Sequence, residues 1–163
     1  MANILIDGYN LIGIAHDNLE KARNDLIQKL RSYSKLKKHE IILVFDGWKN
    51  GRKDETKIKT ADLTVIYSRL GEKADLTIKK KLSSSNKHWI VVSSDREISD
   101  YASKKDHAAL SSVEFEEKLY SALDNLNKDS IDGYITRPSA RPGGNPRKLS
   151  KKQKKKLQAL RKL

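Results

Sequence analysis

Three stretches of this chain read alike: Asn3-Ile4-Leu5-Ile6-Asp7-Gly8, Ile41-Ile42-Leu43-Val44-Phe45-Asp46-Gly47 and Trp89-Ile90-Val91-Val92-Ser93-Ser94-Asp95 are short apolar runs that stop at an aspartate. Runs rich in Ile and Val, lacking polar alternation and separated by long helical stretches, mark strands buried on both faces of a parallel sheet. In an open parallel sheet the ligand site lies beyond the carboxyl ends of the strands, so the three aspartates are expected along one edge. Like charges held together raise one another's energy until a cation neutralises them. A hard divalent metal with oxygen ligands suits such a set, and that is the machinery of phosphoryl transfer. One strand followed by Asp-Gly would be an ordinary turn; three at equivalent positions point to chemistry.

The segments between these runs complete an α/β pattern. Asn18 to Lys37 carries Leu19, Ala22, Leu26, Leu30 and Tyr33 at helical spacing, which predicts an amphipathic helix joining the first two strands. Gly47 to Thr60 is polar and reads as a loop. Leu63 to Tyr67 reads as a strand, Ala74 to Leu82 as a helix, Arg96 to Lys105 as a short helix, Ala108 to Leu110 as a last strand and Val113 to Leu126 as a closing helix. The alternation predicts a layered α/β sandwich. All three prolines (Pro138, Pro142, Pro146) fall between Asp129 and Pro146 with three glycines, so 129–148 is expected to be a basic linker between a domain at 1–128 and a helix or tail at 149–163. Ser150 with Gln153 forms a capping-box pattern. Lys151 and Lys152 in the first turn oppose the macrodipole, so this helix is expected to order only against phosphates.

The charge is as uneven as the pattern is regular. Of 34 Lys and Arg, eleven lie between Arg137 and Leu163, where none of the 21 acids falls, leaving 23 basic against 21 acidic residues, or +2 of the net +13, before it. Such a basic segment in a chain without a lipid anchor implies a nucleic-acid partner, with Arg147, Lys148, Lys151, Lys152, Lys154, Lys155 and Lys156 as phosphate contacts. Lys49, Arg52, Lys53 and Lys57 flank the acidic edge and suit the same backbone, and Trp48 suits stacking on a base. The chain has no cysteine, which excludes disulfides and thiolate zinc sites and agrees with a reducing cytoplasm. No apolar stretch approaches a membrane span and the N-terminus opens into a strand, so a soluble cytoplasmic protein is expected. His16, His39, His88 and His107 lack ligand spacing and are expected at the surface or in loops.

Around the acidic edge, Gly8 would let the backbone approach a ligand, and Asn10 stands one turn on to bond the Asp7 carboxylate or a phosphate. Glu72 and Asp75, three apart at a helix start, are expected on one face reaching the edge. Ser94 and Asp95 are both candidate N-caps, and Ser93 and Ser94 are placed to orient metal-bound water. Asp62 and Asp100 lack strand-end positions and read as surface acids.

Taken together, Ile6-Asp7-Gly8-Tyr9-Asn10-Leu11, Val44-Phe45-Asp46-Gly47, Gly71-Glu72-Lys73-Ala74-Asp75 and Ser93-Ser94-Asp95-Arg96-Glu97 resemble the NYN domains of the PIN-like nuclease superfamily, closest to the YacP-like branch, over residues 3 to 126. The resemblance implies a PIN-like Rossmannoid three-layer sandwich with a central, mostly parallel sheet. It also implies cleavage of RNA dependent on Mg2+ or Mn2+, with Asp7, Asp46, Asp75 and Asp95 as the acidic, metal-holding site and Asn10 and Glu72 as supports. Some relatives of this branch act on messenger RNA engaged by the ribosome and carry a Gly-rich, Arg-containing stretch after the last acidic motif. Here Lys104-Lys105-Asp106-His107-Ala108-Ala109-Leu110 stands in that place, while the basic tail suits ribosomal RNA. The expected chemistry is attack by water, leaving a 5′-phosphate and a 3′-hydroxyl. Two rivals remain open: a haloacid-dehalogenase-like phosphatase, whose Asp-x-Asp is broken here by Tyr9, and a non-catalytic RNA- or ribosome-binding module.

Overall fold

A computed structural model describes residues 1–13, 18–47, 54–128 and 150–163. The predicted linker at 129–148, with its prolines, and Trp48, Lys49, Arg52, Lys53, Arg147, Lys148 and His16 lie outside the described residues. Six strands, β1 (Asn3–Asp7), β2 (Glu40–Phe45), β3 (Thr56–Thr60), β4 (Leu63–Tyr67), β5 (Trp89–Val92) and β6 (Ala108–Leu110), form one sheet in the order β3-β4-β2-β1-β5-β6. All neighbours are parallel except β3 and β4. Helices α1 (Gly8–Ile12), α2 (Leu19–Lys37), α3 (Ala74–Ser84), α4 (Arg96–Lys104), α5 (Ser112–Lys128) and α6 (Lys151–Lys162) cover it.

The period of two along each strand divides the core. Ile4, Ile6, Ile41, Leu43, Phe45, Ile90 and Val92 face one way and pack with Leu11 of α1, Leu26, Leu30 and Tyr33 of α2, Phe115 and Leu119 of α5, and Ala159 of α6. Leu5, Ile42, Val44, Ile66 and Val91 face the other way against Ala74, Ile78 and Leu82 of α3 and Ile98 and Ala102 of α4. Both faces of the central strands are therefore apolar, which is why their sequences do not alternate. The sheet reverses its winding direction between β1 and β5, and the crevice of such a fold opens there.

Two expectations about the elements are corrected. Residues 56–60 are not loop: they form β3, an antiparallel edge strand joined to β4 through Ala61 and Asp62, with Thr60 opposite Leu63. Ile58 of β3 is 52% exposed and the strand has no buried face, so ladder bonds to β4 hold it without a hydrophobic signature. His39 and His107 lie in loops, within the expectation, but not at the surface. Both are buried, their Nδ1 atoms accepting the Ala2 and Trp89 backbone N–H groups, and burial lowers both pKa values, as suits neutral acceptors. Gly8 and Gly47 are also required by packing, because a Cβ would overlap the Phe45 ring at the first and the Ser68 carbonyl at the second.

The last correction concerns α6, which does not await phosphates. Its capping box forms as predicted between Ser150 and Gln153. It packs on β6 and α5, buries Ala159 and the side chain of Leu163, and places the Leu163 carbonyl where Tyr33 Oη donates to it at 3.2 Å. Lys152 pairs with Asp100 at 3.1 Å, Lys156 with Glu114 at 2.7 Å, Lys151 with Asp106 at 3.4 Å, and Lys155 also with Asp106. The apolar stripe and these acids, rather than an external polyanion, fix the helix. In doing so it covers the β6 edge, which would otherwise offer an unpaired strand.

Candidate active site

The rim at the carboxyl ends of the parallel strands is built from four elements. Asp7 ends β1 and is also the N-cap of α1, its Oδ1 accepting the Asn10 N–H at 3.2 Å. This one-turn helix was not foreseen: five residues give no periodicity to read. Asp46 follows β2 directly and its Oδ1 accepts the Ala74 N–H, capping α3 from across the rim, where the local N-cap Lys73 provides no side-chain bond. Asp75 sits in the first turn of α3. Asp95 lies three residues past β5 and caps α4, its Oδ1 accepting the Glu97 N–H at 2.7 Å.

All four predicted aspartates therefore reach one rim, and they sense one another. The Asp7 carboxyl, 7% exposed, is pushed up to about 6, mainly by burial, with Asp75, Asp46 and Asp95 adding like-charge repulsion and the Asn10 N–H opposing them. Asp75 is raised as well, again mainly by burial and then by Asp95, against the pull of Lys79. Among the described residues none of the four is ion-paired. Three of them commit Oδ1 to a backbone N–H, and among the described residues no donor meets their second oxygen.

These groups suit a hard cation by chemistry: several carboxylate oxygens, one of them buried and short of positive charge. Among the described residues no three His, Asp or Glu side chains already converge as a complete ligand set. Mg2+ does not demand one, because it commonly keeps several waters and takes only one or two protein carboxylates.

The supporting residues divide. The Asn10 Oδ1 accepts the Ser94 N–H at 2.8 Å, and the Ser93 Oγ accepts the Asp95 N–H at 3.1 Å, so Asn10, Ser93 and Ser94 do shape the rim. Glu72 does not share a helical face with Asp75, for it precedes α3, in a turn where its N–H bonds the Arg69 carbonyl, and pairs with Lys80 at 2.6 Å. Tyr9 packs edge-on against Phe45, with ring centroids 5.2 Å apart, and its hydroxyl accepts from Arg23. Of the tail lysines, Lys151, Lys152, Lys155 and Lys156 are spent on body acids, and Lys154 alone among the five has no ion-pair partner among the described residues. Sequence reasoning missed Ser112, buried at the start of α5, whose hydroxyl reaches Asn10 across 102 positions of chain. Nothing in its neighbourhood of sequence marks it.

Comparison with known proteins places this architecture. The model of the YacP-like NYN domain matches residues 4–162, through α6. The protein YacP of Bacillus subtilis (strain 168) is 33% identical over 92 residues, which cover 51% of this chain and 52% of YacP, so the chain spans about half the length of that relative. The crystal structure of Rae1 (YacP) from Bacillus subtilis superposes with a TM-score of 0.65 at 23% identity, covering 80% of each chain. A tryptophan-to-leucine mutant of it gives 0.64 at 24%, covering 78% of this chain and 80% of that one. At those identities the likeness speaks to the fold, a PIN-like α/β sandwich around a mostly parallel sheet.

Proposed function

This chain belongs to the YacP-like NYN domain family, and from that premise we propose that it is a metal-dependent endoribonuclease. The observation that carries the reading is the rim itself, where four carboxylates from four elements interact without an ion-pair partner among the described residues and one of them is buried and pushed up to about 6. Keeping such charges together works against folding, so a cation that binds them recovers the difference. Asp7 and Asp95 would hold Mg2+ or Mn2+, with Asp46 and Asp75 completing the site or holding a second ion. The metal would supply Lewis acidity, activating water against phosphorus and stabilising the departing oxyanion. The protein's own part is to bring the four acids to one rim, to exclude water from around Asp7, and to fix the directions of Asp7, Asp46 and Asp95 through one backbone N–H each.

Hydrolysis by water gives a 5′-phosphate and a 3′-hydroxyl. Both histidines buried in the body precede the amino ends of β2 and β6, across the sheet from the rim, and neither supplies an acid–base pair for transfer to the 2′-hydroxyl. The substrate we favour is RNA of the ribosome or engaged by it, held by Lys154 together with Arg147, Lys148, Lys49, Arg52 and Lys53. Cytoplasmic RNA fits a chain in which no described helix is long and apolar enough to cross a membrane. We take α6 with the body as the nuclease domain and 129–148 as its connection.

Purified protein incubated with end-labelled RNA, with and without Mn2+, tests the reading. Metal-dependent internal cleavage with 5′-phosphate ends is expected from the wild type and is expected to vanish in Asp7→Asn. Equal cleavage by both proteins would remove the assignment.

A further inference from the structure

We infer that Ser112 is a positioning residue that sets the spacing between Asp7 and Asp95 and thereby the affinity of the rim for a divalent cation; this rests on the nuclease reading above. Ser112 closes a ring of polar contacts between three elements. Its Oγ lies 3.1 Å from the Asn10 Oδ1 and 3.1 Å from the Asn10 carbonyl, and its N–H donates to the Ser94 Oγ at 3.2 Å. The Ser94 N–H in turn donates to the Asn10 Oδ1 at 2.8 Å. Asn10 is the residue whose N–H orients the Asp7 carboxylate, and Ser94 immediately precedes Asp95. The buried Ser112 hydroxyl thus holds Asn10, just past the end of β1, while its backbone N–H holds Ser94, just past the end of β5, at the point where the sheet reverses its winding.

The helix does not need this hydroxyl. Ser at the start of a helix ordinarily caps it, but here the capping box belongs to the preceding residue: the Ser111 Oγ accepts the Glu114 N–H at 3.3 Å, while Glu114 Oε2 accepts the Ser111 N–H at 3.0 Å. Ser112 is left to hold the rim, and Ser111 provides an internal control of equal chemistry one position away. Partners of this kind behind metal-holding residues commonly change metal affinity by about 10- to 100-fold.

The test compares Ser112→Ala, Ser112→Thr and Ser111→Ala in the full chain by calorimetric titration with Mn2+, by thermal midpoint without metal, and by kcat and KM on one RNA. Ser112→Ala is expected to weaken Mn2+ binding about tenfold and to lower kcat with KM changed less than twofold. Ser112→Thr, which keeps the hydroxyl, is expected within about threefold of wild type in Mn2+ affinity, on the same scale. Ser111→Ala should lower the midpoint and leave Mn2+ affinity alone. Wild-type Mn2+ affinity in Ser112→Ala, or the same loss in Ser111→Ala or Ser112→Thr, would overturn the inference while leaving the nuclease reading standing. A wild type that neither binds Mn2+ nor cuts RNA would bring down both.

Discussion

Asp7 and Asp75 on the rim, and Asp106 and Glu114 beneath α6, are carboxylates of like chemistry in opposite company. The first two are raised, mainly by burial and further by the other acids of the rim, and have no ion-pair partner among the described residues. The other two are lowered. Hydrogen bonds and charge from Lys155 and Lys151 hold Asp106 down, and at Glu114 burial works upward but is outweighed by bonds from Lys156 and Ser111. The lysines that answer the second group come from the most basic segment of the chain, yet none reaches the rim. Charge placed to stabilise finds its opposite; charge left against its like costs stability, which the proposed cation would recover.

The widest gap between the two regions is expected in catalysis. Asp7→Asn or Asp95→Asn should lower RNA cleavage by about a thousandfold or more, equivalent to about 4 kcal/mol in the barrier, whereas Glu114→Gln should stay within about twofold, on the same scale. Initial rates on one labelled RNA make the comparison.

Next in size is the anchoring of α6. Ala159→Asp places an unpaired charge at a position 4% exposed, and should destabilise the whole domain by about 4 kcal/mol, lowering its midpoint by about 10 °C. A midpoint within a degree or two of wild type would mean that α6 is a detachable tail after all.

Removing a rim charge should do the reverse when metal is absent. The Asp7 pKa is raised from 3.8 to about 6 in the folded protein, so ionised Asp7 opposes folding above that range and ceases to as pH falls through it. Asp7→Asn is therefore expected to be more stable than wild type at pH 7.5 by up to about 3 kcal/mol, the advantage shrinking to nothing near pH 4. The buried neutral histidines lose stability in acid in both proteins and cancel in the difference. Urea melts at the two pH values read the sign directly. Glu114→Gln should give the smallest change, a loss under about 1 kcal/mol that fades in high salt.

The rim was legible in the sequence because parallel strands buried on both faces write themselves as unbroken apolar runs, and Asp7, Asp46 and Asp95 mark where those runs stop. The rest depended on partners far along the chain. β3 buries no face, and its alternation of Thr56, Ile58 and Thr60 with Lys57 and Lys59 holds a single apolar residue, too little to mark a strand. His39 and His107 look like any polar residue until Ala2 and Trp89 bring their N–H groups to them. Glu72 was read by its spacing from Asp75, but the helix begins after it and Lys80 takes its charge. The basic tail was read by composition, which counts lysines without saying that Asp100, Asp106 and Glu114 already face four of them.

Metal-dependent thermal shift on three proteins tests the contrast between rim and clamp most directly. With millimolar Mn2+ at pH 7.5, wild type and Glu114→Gln should both gain midpoint, because a ligand of the folded state stabilises it by mass action, and Asp7→Asn should not move. An equal gain in Asp7→Asn would place the metal elsewhere and contradict the account.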